Sequence, residues 1–192
     1  MKEQKNFFNE RGQRIAGIVC LSFLAGIIGG AVMAGMMESG SRGELSLYLR
    51  GLLDGTPEET GFGALYFKYL KYALLIWAGG WLSAGLFVSG AVFLFRSVSL
   101  GFTSAMLFLT CGKGAFLEVL TLLLPQNLFL VPAYVLMMTA SVYYLFLWGE
   151  RTGRLTAKQE RRQKRTEYCI LFFCSAALLA VGTGVEHMLL VG

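Results

Sequence analysis

The chain has 192 residues, of which 55% are hydrophobic and only 15% charged, with a formal net charge of +5. A soluble domain usually carries about a quarter charged residues, so this composition excludes an ordinary soluble enzyme. The basic excess is also no nucleic-acid footprint, because seven of the Lys and Arg residues fall in one short stretch, Arg151 to Arg165.

The first apolar segment runs from about Ile15 to Met37, long enough to span a bilayer. Lys2, Lys5, Arg11 and Arg14 precede it, so residues 1–14 are expected on the cytoplasmic side. The apolar stretch is too long for an ordinary signal-peptide core, which favours an uncleaved anchor. Gly26, Gly30 and Ala34 recur every four residues within it, a spacing that lets helix backbones approach closely.

Residues 38–71 form the longest polar segment and balance five acids against four bases. That balance lacks the basic excess of an inner loop, so the segment is expected outside. Ser41 to Glu44 fits a capping box before a short helix carrying Leu45, Leu49 and Leu52. Thr56 to Glu59 fits a second helix start, with Pro57 at the first helical position. Two short outer helices are expected there. Glu44, Leu45, Leu49 and Leu52 are the residues available for binding a partner.

A second span is read from Tyr72 to Phe95, ending at Arg96, with Gly80 and Ala84 as a second packing pair. A third is read from Ser97 to Leu124, broken by Gly112, Lys113 and Gly114. A fourth runs from Gln126 to Trp148. The basic loop, residues 149–166, faces the cytoplasm and anionic lipid. Glu167 to about Leu190 closes the chain. An odd number of crossings in the middle satisfies both flanks. The expected fold is therefore all-α: residues 1–192 as a single polytopic membrane helix bundle of about five spans. Its third span is broken, its N-terminus lies inside and its C-terminus outside. The small-residue stripes serve packing within the bundle or contact with a second copy.

Few residues carry chemistry. Cys20, Cys111, Cys169 and Cys174 lie in or beside apolar segments and read as small hydrophobes. His187 is the single histidine, and no cluster of carboxylates accompanies it, so neither a metal nor another cofactor is expected. Ser89 is expected in the inner half of its span and His187 near the outer end of the last, a poor fit that leaves an intramembrane protease as the weaker alternative. Lys113 and Glu118 are the intramembrane polar candidates and the motive for an alternative, permease-like reading. Gln126 and Asn127 follow Pro125 and are expected to cap the start of the fourth span.

Taken together, Gly101 to Thr103, the Gly-Lys-Gly break with Phe116, and Pro125 to Ala133 (PQNLFLVPA) resemble the stage II sporulation protein M family. Glu44 to Arg50 and Leu75 to Trp77 also resemble it, so the resemblance covers nearly the whole chain. Pro125, Gln126, Asn127, Pro132 and Ala133 form its most specific part. Wider relatives carry a Pro-His-Gly…Glu pattern here; Gln126, Asn127 and Leu130 stand at its His, Gly and Glu positions. The resemblance implies a non-enzymatic scaffold of endospore formation. It implies as partners the wall hydrolases called stage II sporulation proteins D and P, localised at the septal membrane during engulfment.

Overall fold

The computed structural model describes residues 10–37, 43, 61–82, 84–111, 116–149 and 157–191. Side chains within these ranges are described except at 110–111, 116–126, 147–149, 157–161, 163 and 189–191. Among the described residues, five long helices make up the bundle and no strand occurs. They are α1 (Glu10–Met36), α2 (Phe62–Gly79), α3 (Gly85–Cys111), α4 (Phe116–Gly149) and α5 (Ala157–Val191). The helices α1, α3, α4 and α5 are long and apolar enough to cross a membrane. In α2, Lys68 and Lys71 lower the hydropathy around its middle. Its 18 residues still extend about 27 Å, close to the thickness of the hydrocarbon core.

Specific contacts fix the relative directions. Gly79 meets Gly85 while Arg96 lies over the Tyr69 ring, so α2 and α3 form an antiparallel hairpin. Tyr134 and Ser141 of α4 bond to the carbonyls of Tyr69 and Ile76, so α4 runs parallel to α2. Tyr168 reaches Trp77 and Glu186 reaches Tyr69, so α5 runs against α2. Phe23 packs on Phe93 and Gly30 on Phe102, so α1 runs with α3. The helices thus alternate in direction along the chain.

The boundaries of the middle differ from the expected ones. Tyr72 to Phe95 is not one span, because the helix ends at Gly79 and restarts at Gly85. Three glycines cause this corner. Gly79 and Gly85 lie in backbone contact, and Gly80 faces Tyr168 and Ser141, so a Cβ at any of them would collide. Ala84 is exposed in the turn and shares no helical stripe with Gly80, which corrects that packing pair. Ser97 to Leu124 is likewise divided between α3 and α4, on either side of residues 112–115. Arg96 therefore sits within α3 rather than at a span end.

The other small-residue stripe lies inside the bundle. A Cβ at Gly26 would strike the Ser97 side chain, and one at Gly30 would strike the Val98 and Phe102 backbone. Gly101 faces the Ile27 backbone in the same way, and Ala34 is fully buried. Close approach of this kind maximises dispersion contact where lipid supplies no hydrophobic driving force.

Candidate polar core of the bundle

A helix ending inside a packed bundle faces a specific difficulty. Its last four carbonyls lack intrahelical partners, and apolar neighbours offer none. At the end of α2 these carbonyls belong to residues 76–79. Ser89 of α3 and Ser141 of α4 each donate to Ile76 O at 2.9 Å. Tyr168 of α5 donates to Trp77 O at 2.7 Å, and the Gly80 amide donates to the same carbonyl at 3.1 Å. Three helices therefore supply side-chain caps to the end of a fourth. Ser141 Oγ and Tyr168 Oη also lie 2.9 Å apart. Two hydroxyl protons serve three contacts, so the pair shares them. Gly80 makes this convergence sterically accessible, since a Cβ there would occupy the space of both hydroxyls.

An aromatic layer encloses these caps. Trp77 stacks on Tyr168 at 6.0 Å and tilts against Phe172 at 5.1 Å. Tyr144 donates to Glu167 Oε2 at 3.0 Å, and Arg165 lies 5.4 Å over the Trp81 ring. Glu167 and Arg165 place polar heads beside aromatic bodies, as residues do at a membrane interface.

Toward the opposite end of α2 lies a second polar cluster. Arg96 sits over Tyr69, Tyr134 and Tyr72 at 5.0, 5.7 and 5.8 Å from the ring centroids. Tyr134 donates to Tyr69 O at 3.0 Å, and Tyr69 donates to Glu186 Oε1 at 2.9 Å. The arrangement surrounds an intramembrane guanidinium with ring faces and places a carboxylate one tyrosine away. Four helices, α2 to α5, contribute to it. Arg96 is expected at a span end, yet it is one of only three formal charges between Tyr72 and Trp148. That rarity was the signal for a residue held inside the bundle.

The expected site residues are dispersed. Lys113 and the partner-binding residues Glu44, Leu45, Leu49 and Leu52 lie outside the described residues. Glu118, Pro125 and Gln126 are described by backbone alone, all within α4. Gln126 and Asn127 do not cap a helix, because α4 begins at Phe116 and continues through both prolines. Pro125 and Pro132 each remove an amide from the helical ladder, which membrane helices accommodate through neighbouring groups. Pro132 is exposed, while Ala133 is buried in the core.

Ser89 and His187 are not brought together. Ser89 caps Ile76, whereas His187 packs edge-on against Phe62 at 6.3 Å, fourteen residues away along α2. Such a helical interval is about 21 Å, far beyond the contact a nucleophile and its base require. No cluster of three metal-ligating side chains occurs among the described residues.

The sequence model of Stage II sporulation protein M matches residues 19–189, nearly the full bundle. No curated protein and no solved structure matches the chain.

Proposed function

This chain belongs to the stage II sporulation protein M family, and on that premise we propose that it is a scaffold for peptidoglycan hydrolases. It is a sporulation-related membrane protein of helical-bundle architecture. In this reading the hydrolases are stage II sporulation proteins D and P, held at the septal membrane during engulfment. The observation that carries the reading is the use made of the interior polar groups. Ser89, Ser141 and Tyr168 cap a helix end, and Tyr134 and Tyr69 join helices to one another. These contacts fix the bundle as a platform.

All five helices cross the membrane in this reading. The N-terminus and basic loop face the cytoplasm, and the C-terminus faces outside, in line with the positive-inside rule. The expected outer segment, residues 38–71, is shortened by α2, which begins at Phe62, so the stretch before that helix is the partner-binding segment on the outer side in this reading. The test is recovery of hydrolases with the tagged chain from membranes of sporulating cells. Specific recovery that disappears when Ser41 to Thr60 is deleted, with insertion intact, supports the scaffold. Normal recovery by the deletion variant sinks it.

A further inference from the structure

Around Arg96 the described residues carry more positive charge than negative. Lys68 lies 5.8 Å over the Tyr69 ring and Lys71 lies 5.1 Å over the Tyr72 ring, while Arg96 lies over both rings. Two rings thus carry three cations. Among the described residues, Glu186 is the carboxylate at this end of the bundle. Glu10 begins α1 and Glu167 lies beside Tyr144, both toward the other end. Glu186 accepts from Tyr69, and no ion pair to Arg96 occurs among the described residues.

These cations open on one seam. Lys68, Tyr72 and Leu75 follow one edge of α2, at intervals of four and three residues. Arg96, Ser99 and Thr103 follow one edge of α3, at intervals of three and four. Arg96 meets Tyr72 across the seam. Both edges run from covered to open: Tyr72, Arg96 and Ser99 are half-buried, whereas Lys68, Leu75 and Thr103 are exposed. Depth decides what fits there. Tyr69, which Arg96 covers, lies seven residues inside α2 from Phe62, about 10 Å along the axis. A lipid phosphate stays in the headgroup layer, whereas a side chain on a helix laid along the seam reaches that depth. In so dry a place the strongest complement to a surplus cation is a carboxylate. We propose that the α2–α3 seam docks a membrane-spanning helix of a partner protein, whose acidic side chain pairs with Arg96. The proposal rests on the scaffold reading and adds to it a second contact, within the membrane.

The test uses the full chain in phosphatidylcholine vesicles, together with a synthetic spanning peptide of Leu and Ala. The peptide carries one Glu at its middle, or Gln in its place. Either orientation brings that residue within about one helical turn of the depth of Arg96. Energy transfer between labels on the peptide and the chain reports association. The Glu peptide is expected to bind at least about tenfold more tightly than the Gln peptide, the low end for close charge pairs at interfaces. Arg96→Gln removes that preference. Lys68→Gln with Lys71→Gln leaves the bundle interior untouched and lowers the preference about threefold, as exposed charges do. Ser99→Trp fills the seam and weakens binding of both peptides, with helical content checked by circular dichroism. Equal binding of the two peptides, or a Glu preference that survives Arg96→Gln in a folded protein, overturns the proposal. Loss of the preference in phosphatidylglycerol vesicles also overturns it, by assigning the seam to a lipid phosphate. Because the peptide stands in for the hydrolases, failure here leaves the recovery test of the scaffold unaffected.

Discussion

The α1–α3 seam and the end of α2 solve one problem in opposite ways. At the seam, Gly26, Gly30 and Gly101 remove side chains so that two backbones lie in contact. At the end of α2, glycines open a space that Ser89, Ser141 and Tyr168 then fill with hydroxyls aimed at the Ile76 and Trp77 carbonyls. Both places need glycine, but for different partners. The seam depends on shape alone, whereas the corner depends on shape and hydrogen bonding together. Overpacking should therefore damage the seam most. Polar deletions should cost the corner little singly, because interhelical hydrogen bonds in membranes average only about 0.6 kcal/mol.

That contrast can be broken deliberately. Gly30→Leu forces a side chain into the Val98 and Phe102 backbone. It should destabilise by about 3 kcal/mol or more, and unfolding in detergent should show a large loss of thermal stability. Arg96→Met removes a guanidinium from three tyrosine faces. A loss of about 2 kcal/mol is expected for a desolvated cation on aromatic rings, measurable by the same unfolding assay. Tyr168→Phe keeps the ring stacked on Trp77 but leaves the Trp77 carbonyl with the Gly80 amide alone. About 1–1.5 kcal/mol should be lost, near the upper range for such bonds. Ser89→Ala should cost least, about 0.6 kcal/mol, because Ser141 still caps the same Ile76 carbonyl. Combining Ser89→Ala with Ser141→Ala should exceed the sum of the single effects, since the carbonyl then loses both caps.

Much of this architecture was legible in the sequence. Apolar run lengths gave a helical membrane bundle, and the PQNLFLVPA segment pointed to the family that the match over residues 19–189 shows. The Gly26–Gly30–Ala34 stripe was legible as a place where helices meet, because four-residue spacing names a helix face. What it meets was not, since Ser97, Val98 and Phe102 lie more than sixty residues away. The middle boundaries failed for a local reason. Gly79, Gly80 and Gly85 read equally as a packing face or as a turn, and continuous hydrophobicity favoured the helix. The expected cap by Gln126 and Asn127 failed because a membrane helix tolerates a proline such as Pro125 that would end a soluble one. Arg96, Tyr69 and Glu186 were missed as a cluster because tyrosine partners leave no periodic trace, and three separate helices supply the group.

The central claim is that interior polar groups hold the platform while the segment before α2 recruits partners. It is tested most directly by measuring hydrolase recovery per inserted chain in sporulating cells for two variants side by side. One lacks Ser41 to Thr60; the other carries Ser141→Ala with Tyr168→Phe. Recovery should vanish in the first and stay at the wild-type level per inserted chain in the second. Normal recovery in the first, or lost recovery from a fully inserted second variant, would contradict the account.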